Sequence, residues 1–105
     1  VRGGSKEQMG HACAMALKNL MGLVCDPVAG LVEVPCVKRN VGGAVNALAA
    51  ADMALAGIAS HIPVDQVIDA MGEVGMKMDV SLRETSMGGV ATSPKGLEIA
   101  ERLGM

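Results

Sequence analysis

Asn40-Val41-Gly42-Gly43-Ala44-Val45-Asn46-Ala47-Leu48-Ala49-Ala50-Ala51-Asp52-Met53-Ala54-Leu55-Ala56-Gly57-Ile58-Ala59 is the run from which the fold class is read. Alanine is the strongest helix former. An asparagine side chain can accept from the first free amides of a helix. The run therefore reads as a long helix over Val41 to Ala59 with Asn40 as its cap. Its apolar character continues to Ile62, which raises the question of a membrane span. Asn46 and Asp52 near the middle argue against one. An aspartate there costs about 2.5–3.5 kcal/mol on insertion scales, and alanine returns little. The expectation is a buried core helix with no membrane partner.

Three more helices flank it. Ser5-Lys6-Glu7-Gln8 fits a capping box, in which the Ser hydroxyl and the Gln side chain satisfy the starting amides reciprocally. From there Met9, Ala12, Cys13, Ala16, Leu17 and Leu20 recur at helical spacing, opposite Glu7, His11, Ala14 and Lys18, with Gly22 as the stop. Pro63 suits the first turn of a third helix, where Val64, Val67, Ile68, Met71 and Val74 form one apolar stripe. Asp65 in that turn favours the helix dipole. Met76 to Ala91 is less regular and holds the permissive pair Gly88-Gly89. Ser93-Pro94 reads as cap and first residue of a last short helix ending near Leu103. The class is all-α, a small bundle of about four helices with one ordered apolar loop.

That loop is Leu23 to Lys38, broken by Pro27, Gly30 and Pro35, with Leu31–Pro35 a possible short extended run. It is strongly apolar, so it is expected to pack against something rather than lie in water.

Composition narrows the function. The chain has 105 residues, Lys+Arg 9 against Asp+Glu 11, a formal charge of −2, and half of its residues are hydrophobic. That suits one small domain and excludes a disordered tail. A mildly acidic chain lacks the basic footprint that phosphate backbones require. Phe, Trp and Tyr are absent, which removes a base-stacking platform. No nucleic-acid partner is expected. The start Val1-Arg2-Gly3-Gly4-Ser5-Lys6 has no apolar secretory core and no initiator Met. The expectation is a cytoplasmic piece of a longer polypeptide.

Three cysteines stand at 13, 25 and 36, without the C-x-x-C pairs of a zinc ribbon. Cys13, on an Ala/Met helix face, reads as a small buried hydrophobe. Cys25-Asp26-Pro27 and Pro35-Cys36 instead set two thiols beside prolines in the apolar loop. Thiolates select soft metals, iron–sulfur clusters and zinc foremost, yet two ligands do not complete a four-thiolate site. From the residues alone, metal ligation and plain burial both stand. Lys38-Arg39-Asn40 can serve an anion at a helix start or be a solvated basic pair. His11 and His61 read as surface residues.

The string Leu23-Val24-Cys25-Asp26-Pro27-Val28-Ala29-Gly30-Leu31-Val32-Glu33-Val34-Pro35-Cys36-Val37-Lys38-Arg39-Asn40 closely resembles the signature of iron–sulfur-dependent L-serine dehydratases. Ala51-Asp52-Met53-Ala54-Leu55-Ala56-Gly57 and Leu82-Arg83-Glu84-Thr85-Ser86-Met87-Gly88-Gly89 are similar to the α chain of the two-chain bacterial form. The resemblance runs from about Lys6 to the C-terminus.

It implies a lyase of amino-acid degradation and gluconeogenesis that takes L-serine to pyruvate and ammonia without pyridoxal phosphate. In that family three cysteines hold a [4Fe–4S] cluster whose open iron is a Lewis acid. Cys25 and Cys36 match two of the ligands, and Arg39 and Asn40 are weaker candidates for touching substrate or orienting the cluster. The third ligand belongs to an upstream Gly-rich stretch that has no counterpart here, and Cys13 does not occupy its place. The family's α chain is longer, with serine, lysine and histidine candidates for catalysis nearer its N-terminus, so the catalytic base is unassigned in this chain. The resemblance thus makes residues 1–105 the C-terminal part of a larger helical catalytic domain. Its expected partners are the rest of that domain, a β-type chain or domain, and a second copy in a homo-oligomer. A helical metal-binding module that docks to a partner chain, without activity of its own, is the alternative.

Overall fold

The computed structural model describes residues 3–31 and 36–104. Among these residues the regular structure is helical and no strand is present: α1 spans Lys6–Asn19, α2 Cys36–Leu55, α3 Val64–Lys77 and α4 Pro94–Arg102. Single 3-10 turns lie at Val28–Gly30, Val80–Leu82 and Gly89–Thr92. The all-α class and the four helices agree with the sequence reading. The chain divides into two compact units, Val1–Gly22 with Gly42–Met76, and Leu23–Val41 with Lys77–Met105.

In the first unit α1 opens on the expected capping box: Ser5 Oγ accepts from Gln8 N at 3.1 Å, and Ser5 N donates to Gln8 Oε1 at 2.9 Å. The inward face differs from the expectation. Ala14 is the buried residue of α1, whereas Cys13 and Met9 are exposed. The apolar stripe of this helix is plain in the sequence, opposite Glu7, His11 and Lys18, yet periodicity says which face is apolar and not which residues the fold covers. Partners decide instead. His11, on the Ala14 side, is half-buried and its Nδ1 accepts from Ser60 N at 3.1 Å, rather than pointing to solvent.

The central helix also departs from its predicted bounds. It begins at Cys36, so Asn40 lies inside it and is not its cap, and Cys36, Val37 and Lys38 belong to the helix rather than to the loop. Proline restricts the residue before it and not the one after, so Pro35 in the sequence opens a helix as readily as it ends one. At the other end Gly57, at φ 93°, turns the chain. Ile58 N bonds Met53 O at 3.0 Å and Gly57 N bonds Ala54 O at 3.1 Å, the paired closure of a glycine-stopped helix. Ala59 therefore falls outside it.

Ala50 and Ala54 are buried on this helix, but Val41, Val45 and Leu48 are each more than half exposed, so only one side is core. Asn46 is satisfied rather than free: its Nδ2 donates to Ala16 O at 2.9 Å, and its Oδ1 accepts from Asn19 at 3.0 Å. No helix among the described residues is long and apolar enough to cross a membrane. α3 follows Pro63 as expected. Of its stripe Val67 is buried while Ile68, Met71 and Val74 remain partly in water.

In the second unit α4 packs on the 3-10 turns at Val28–Gly30 and Gly89–Thr92. Its start is the one predicted: Ser93 Oγ accepts from Gly96 N at 3.1 Å and Pro94 is in the first turn. Val28, Ala91 and Gly96 are buried there, together with one charged residue, Asp26. Leu31 is extended, with φ −90° and ψ 137°; the rest of the suggested extended run, Val32 to Pro35, lies outside the described residues.

Candidate metal centre

The second unit holds the thiols. The backbone of Cys25 is fixed by a second segment far along the chain: Cys25 N donates to Leu82 O at 3.0 Å, and Glu84 N donates to Cys25 O at 2.6 Å. The two residues Cys25 and Arg83 form an isolated parallel bridge. Cys36 stands at the first residue of α2, where partial positive charge collects. The two sulfurs face each other at 4.0 Å, and both residues are half-buried. Two ligands of one tetrahedral metal ion with bonds near 2.3 Å would sit about 3.8 Å apart. The convergence expected of these thiols is present.

Arg39, one turn further along α2, reaches back across the pair. Its Nη1 donates to Val24 O, and its Nη2 stands 3.6 Å from Asp26 Oδ1. Asp26 is 1% exposed and its Oδ2 accepts from Val90 N at 2.5 Å. Gly89, at φ 63°, lies against that carboxylate: a Cβ there would come 2.9 Å from Asp26 Cγ. Ser86 Oγ donates to Pro27 O at 2.5 Å. Asn40 is exposed.

Among the described residues three non-glycine residues take the left-handed conformation, and all are here: Ala29 at φ 54°, Glu84 at 65° and Ser86 at 57°. Each costs of order 1–3 kcal/mol, and such strain gathers at functional sites. Asp26, Glu84, Ser86 and Gly89 were not singled out from the sequence. For Asp26 a signal existed: a lone carboxylate in an apolar loop must find donors if it is buried.

Burial raises the Cys25 thiol above its ordinary value of 9.0; the hydrogen bond and charge of Cys36 and the charge of Glu84 act in the same direction, and Arg39 opposes them. A raised value means less thiolate at a given pH, and thiolate is the nucleophile. In metal-free protein at pH 8, iodoacetamide is expected to modify exposed Cys13 well before Cys25, with the Cys25 profile centred above 9.0. Equal rates, read by peptide mass, would contradict this environment.

The donors fit a soft metal in kind, since two thiols converge with a cation beside them. They fall short in number: no group of three or more His, Cys, Asp or Glu donors collects among the described residues. An apolar hollow of about 410 Å³ in the first unit, walled by Met9, Ala12, Leu48 and Leu55, has no ionisable lining residue and offers no chemistry.

The geometry defines a helical protein with a paired-thiol centre. Residues 1–91 match the family described as serine dehydratase alpha chain, and the chain belongs to that family. It is 61% identical over 101 residues to the "Probable L-serine dehydratase, alpha chain" of Bacillus subtilis, covering 96% of this chain and 34% of that protein. To the protein of the same description from Latilactobacillus sakei it is 61% identical over 97 residues, covering 92% and 46%. To the "L-serine dehydratase, alpha chain" of Peptoniphilus asaccharolyticus it is 53% identical over 97 residues, covering 92% and 33%. The chain thus spans between a third and a half of these relatives.

Proposed function

We propose that this chain is the C-terminal part of the catalytic domain of an L-serine dehydratase, and that Cys25 and Cys36 supply two ligands of its [4Fe–4S] cluster. The observation that carries this reading is the convergence of the Cys25 and Cys36 thiols on one place with Arg39 beside them; their 4.0 Å spacing is that of the metal-free pair, and thiolates on two irons of a cluster stand further apart. When bound, such a cluster supplies a Lewis-acidic iron that polarises the hydroxyl of serine so that it leaves as water. Cys25 and Cys36 would hold the group through their two thiolates. Arg39 keeps a positive charge beside them, which favours the ionised form of Cys25 as a ligand. The third thiolate and the base that takes the α-proton are assigned to chain outside these residues, and pyridoxal phosphate has no part.

Support for a missing remainder comes from unburied apolar surface. Val37 and Val41 in the second unit, and Met9, Val45, Leu48 and Ile68 in the first, are each about half exposed or more. Surface of this kind marks an interaction face. We assign it to the rest of the catalytic domain, and through the assembled enzyme to a β-type partner and a second copy.

Anaerobic reconstitution with iron and sulfide, followed by a pyruvate assay with L-serine, tests the reading. The complete α chain with its partner should turn over, while residues 1–105 alone should retain no stable cluster and release no pyruvate. Turnover by the isolated chain would overturn the division of the site. Failure of the complete enzyme to act on serine would overturn the activity.

A further inference from the structure

We propose that Asp26 and Arg39 form a clamp that sets the separation of the Cys25 and Cys36 thiols, which makes Asp26 a positioning residue for that pair. Cys25 lies between the two groups that Arg39 faces: its Nη1 donates to the carbonyl of Val24, and its Nη2 stands 3.6 Å from Asp26 Oδ1, an ion pair without a hydrogen bond. Arg39 itself is fixed to α2 one turn from Cys36. The guanidinium fork therefore spans from the helix that carries one thiol to both neighbours of the other. A planar fork with several donors in fixed directions transmits geometry in a way that a single ammonium cannot.

The carboxylate is anchored from its far side as well. Val90 N donates to Asp26 Oδ2 at 2.5 Å, and the absence of a side chain at Gly89 is what admits the carboxylate. Asp26 is 1% exposed, whereas the Arg39 side chain is 37% exposed, so solvent reaches the pair from the cation's side. Three separate pieces of chain, the Cys25 segment, the start of α2 and the Gly89–Thr92 turn, thus meet on one buried carboxylate. None of these contacts involves a metal. For its purpose the clamp rests on the proposed ligand role of the two cysteines; its geometry does not.

The thiol separation can be read without metal by equilibrium with glutathione. Cys25 and Cys36 give up two protons and two electrons as their sulfur–sulfur bond forms; the bond of glutathione disulfide breaks and two glutathione thiols take those protons and electrons. Both cysteines lie on the single tryptic peptide 19–38, so the bridge is read as the loss of two hydrogens from one mass. In the complete, metal-free protein, Asp26→Asn and Arg39→Gln should each lower the bridging constant at least about tenfold, or about 30 mV. Because they share one contact, the double variant should lose less than the sum of the two single losses. Arg39→Lys, with charge but no fork, should recover only part of the loss.

An unchanged constant in Asp26→Asn overturns the clamp, as do fully additive losses in the double variant. Circular dichroism identifies a variant that does not fold. If Asp26→Asn is one, Gly89→Ala acts on the same carboxylate from the Val90 side and carries the same expectation. A clamp that passes in a protein whose activity does not need Cys25 or Cys36 would sink the cluster reading alone; cysteine-dependent activity with an unchanged bridging constant would sink the clamp alone.

Discussion

Cys25→Ser and Cys36→Ser, each made in the complete enzyme, are expected to lose bound iron and to lower serine-to-pyruvate turnover at least about a thousandfold. The magnitude follows from the role assigned to the metal. Polarisation of a leaving oxygen is worth several kcal/mol, and about 4 kcal/mol is a factor of a thousand in rate. Serine keeps the size of cysteine but replaces a soft thiolate by a hydroxyl that iron–sulfur chemistry does not use. Cys13→Ser is the internal control, because Cys13 is exposed in the first unit and no part of the thiol pair; iron and turnover should both persist. Iron analysis and pyruvate release read the outcome. Full iron content with full activity in Cys36→Ser would reduce the pair to packing.

Gly96→Ala is expected to destabilise the protein by about 1–3 kcal/mol, the range for overfilling a packed site. Alanine in place of glycine inside a helix ordinarily stabilises by up to about 1 kcal/mol, so the sign here is decided by space. A Cβ at Gly96 would stand 2.5 Å from Val90 O, 2.8 Å from Ala91 O and 3.1 Å from Ala91 C. All three are backbone atoms, which cannot rotate away as a side chain would. The steric cost therefore wins. Gly75→Ala in α3 is the contrasting case, since nothing lies within 4 Å of its Cβ position. Thermal unfolding should show the midpoint falling for Gly96→Ala and holding or rising for Gly75→Ala.

Local chemistry carried much of the fold into view. The box at Ser5 and Gln8, the cap at Ser93 with Pro94, and the start after Pro63 were each legible because capping involves groups a few residues apart. The beginning of α2 was not. Asn40 has a good capping side chain, yet the helix starts four residues earlier at Cys36, because cap preference is a modest energy that neighbouring contacts readily override. The inward face of α1 was also misread at Ala14 and Cys13. Periodicity marks the apolar side but not what covers it, and His11 on the other side is drawn in by its hydrogen bond with Ser60, far along the chain.

The site divides along the same line. Cys25, Pro27, Pro35 and Cys36 marked the two thiols as candidates but left ligation and plain burial both open. The string around them also carried the resemblance to serine dehydratases. Asp26, Glu84, Ser86 and Gly89 were invisible as site residues, because their roles exist only where the segments around residues 25 and 84–90 meet. Sequence by itself determined the helical class and most helix starts, since each is set by side chains within a turn or two of one another, and left the two thiols as ligands or plain buried residues. Only the tertiary structure decided which carboxylate, guanidinium and glycine surround that pair, because a buried charge takes its partners from whatever the folded chain brings within a few ångströms, at any distance in sequence.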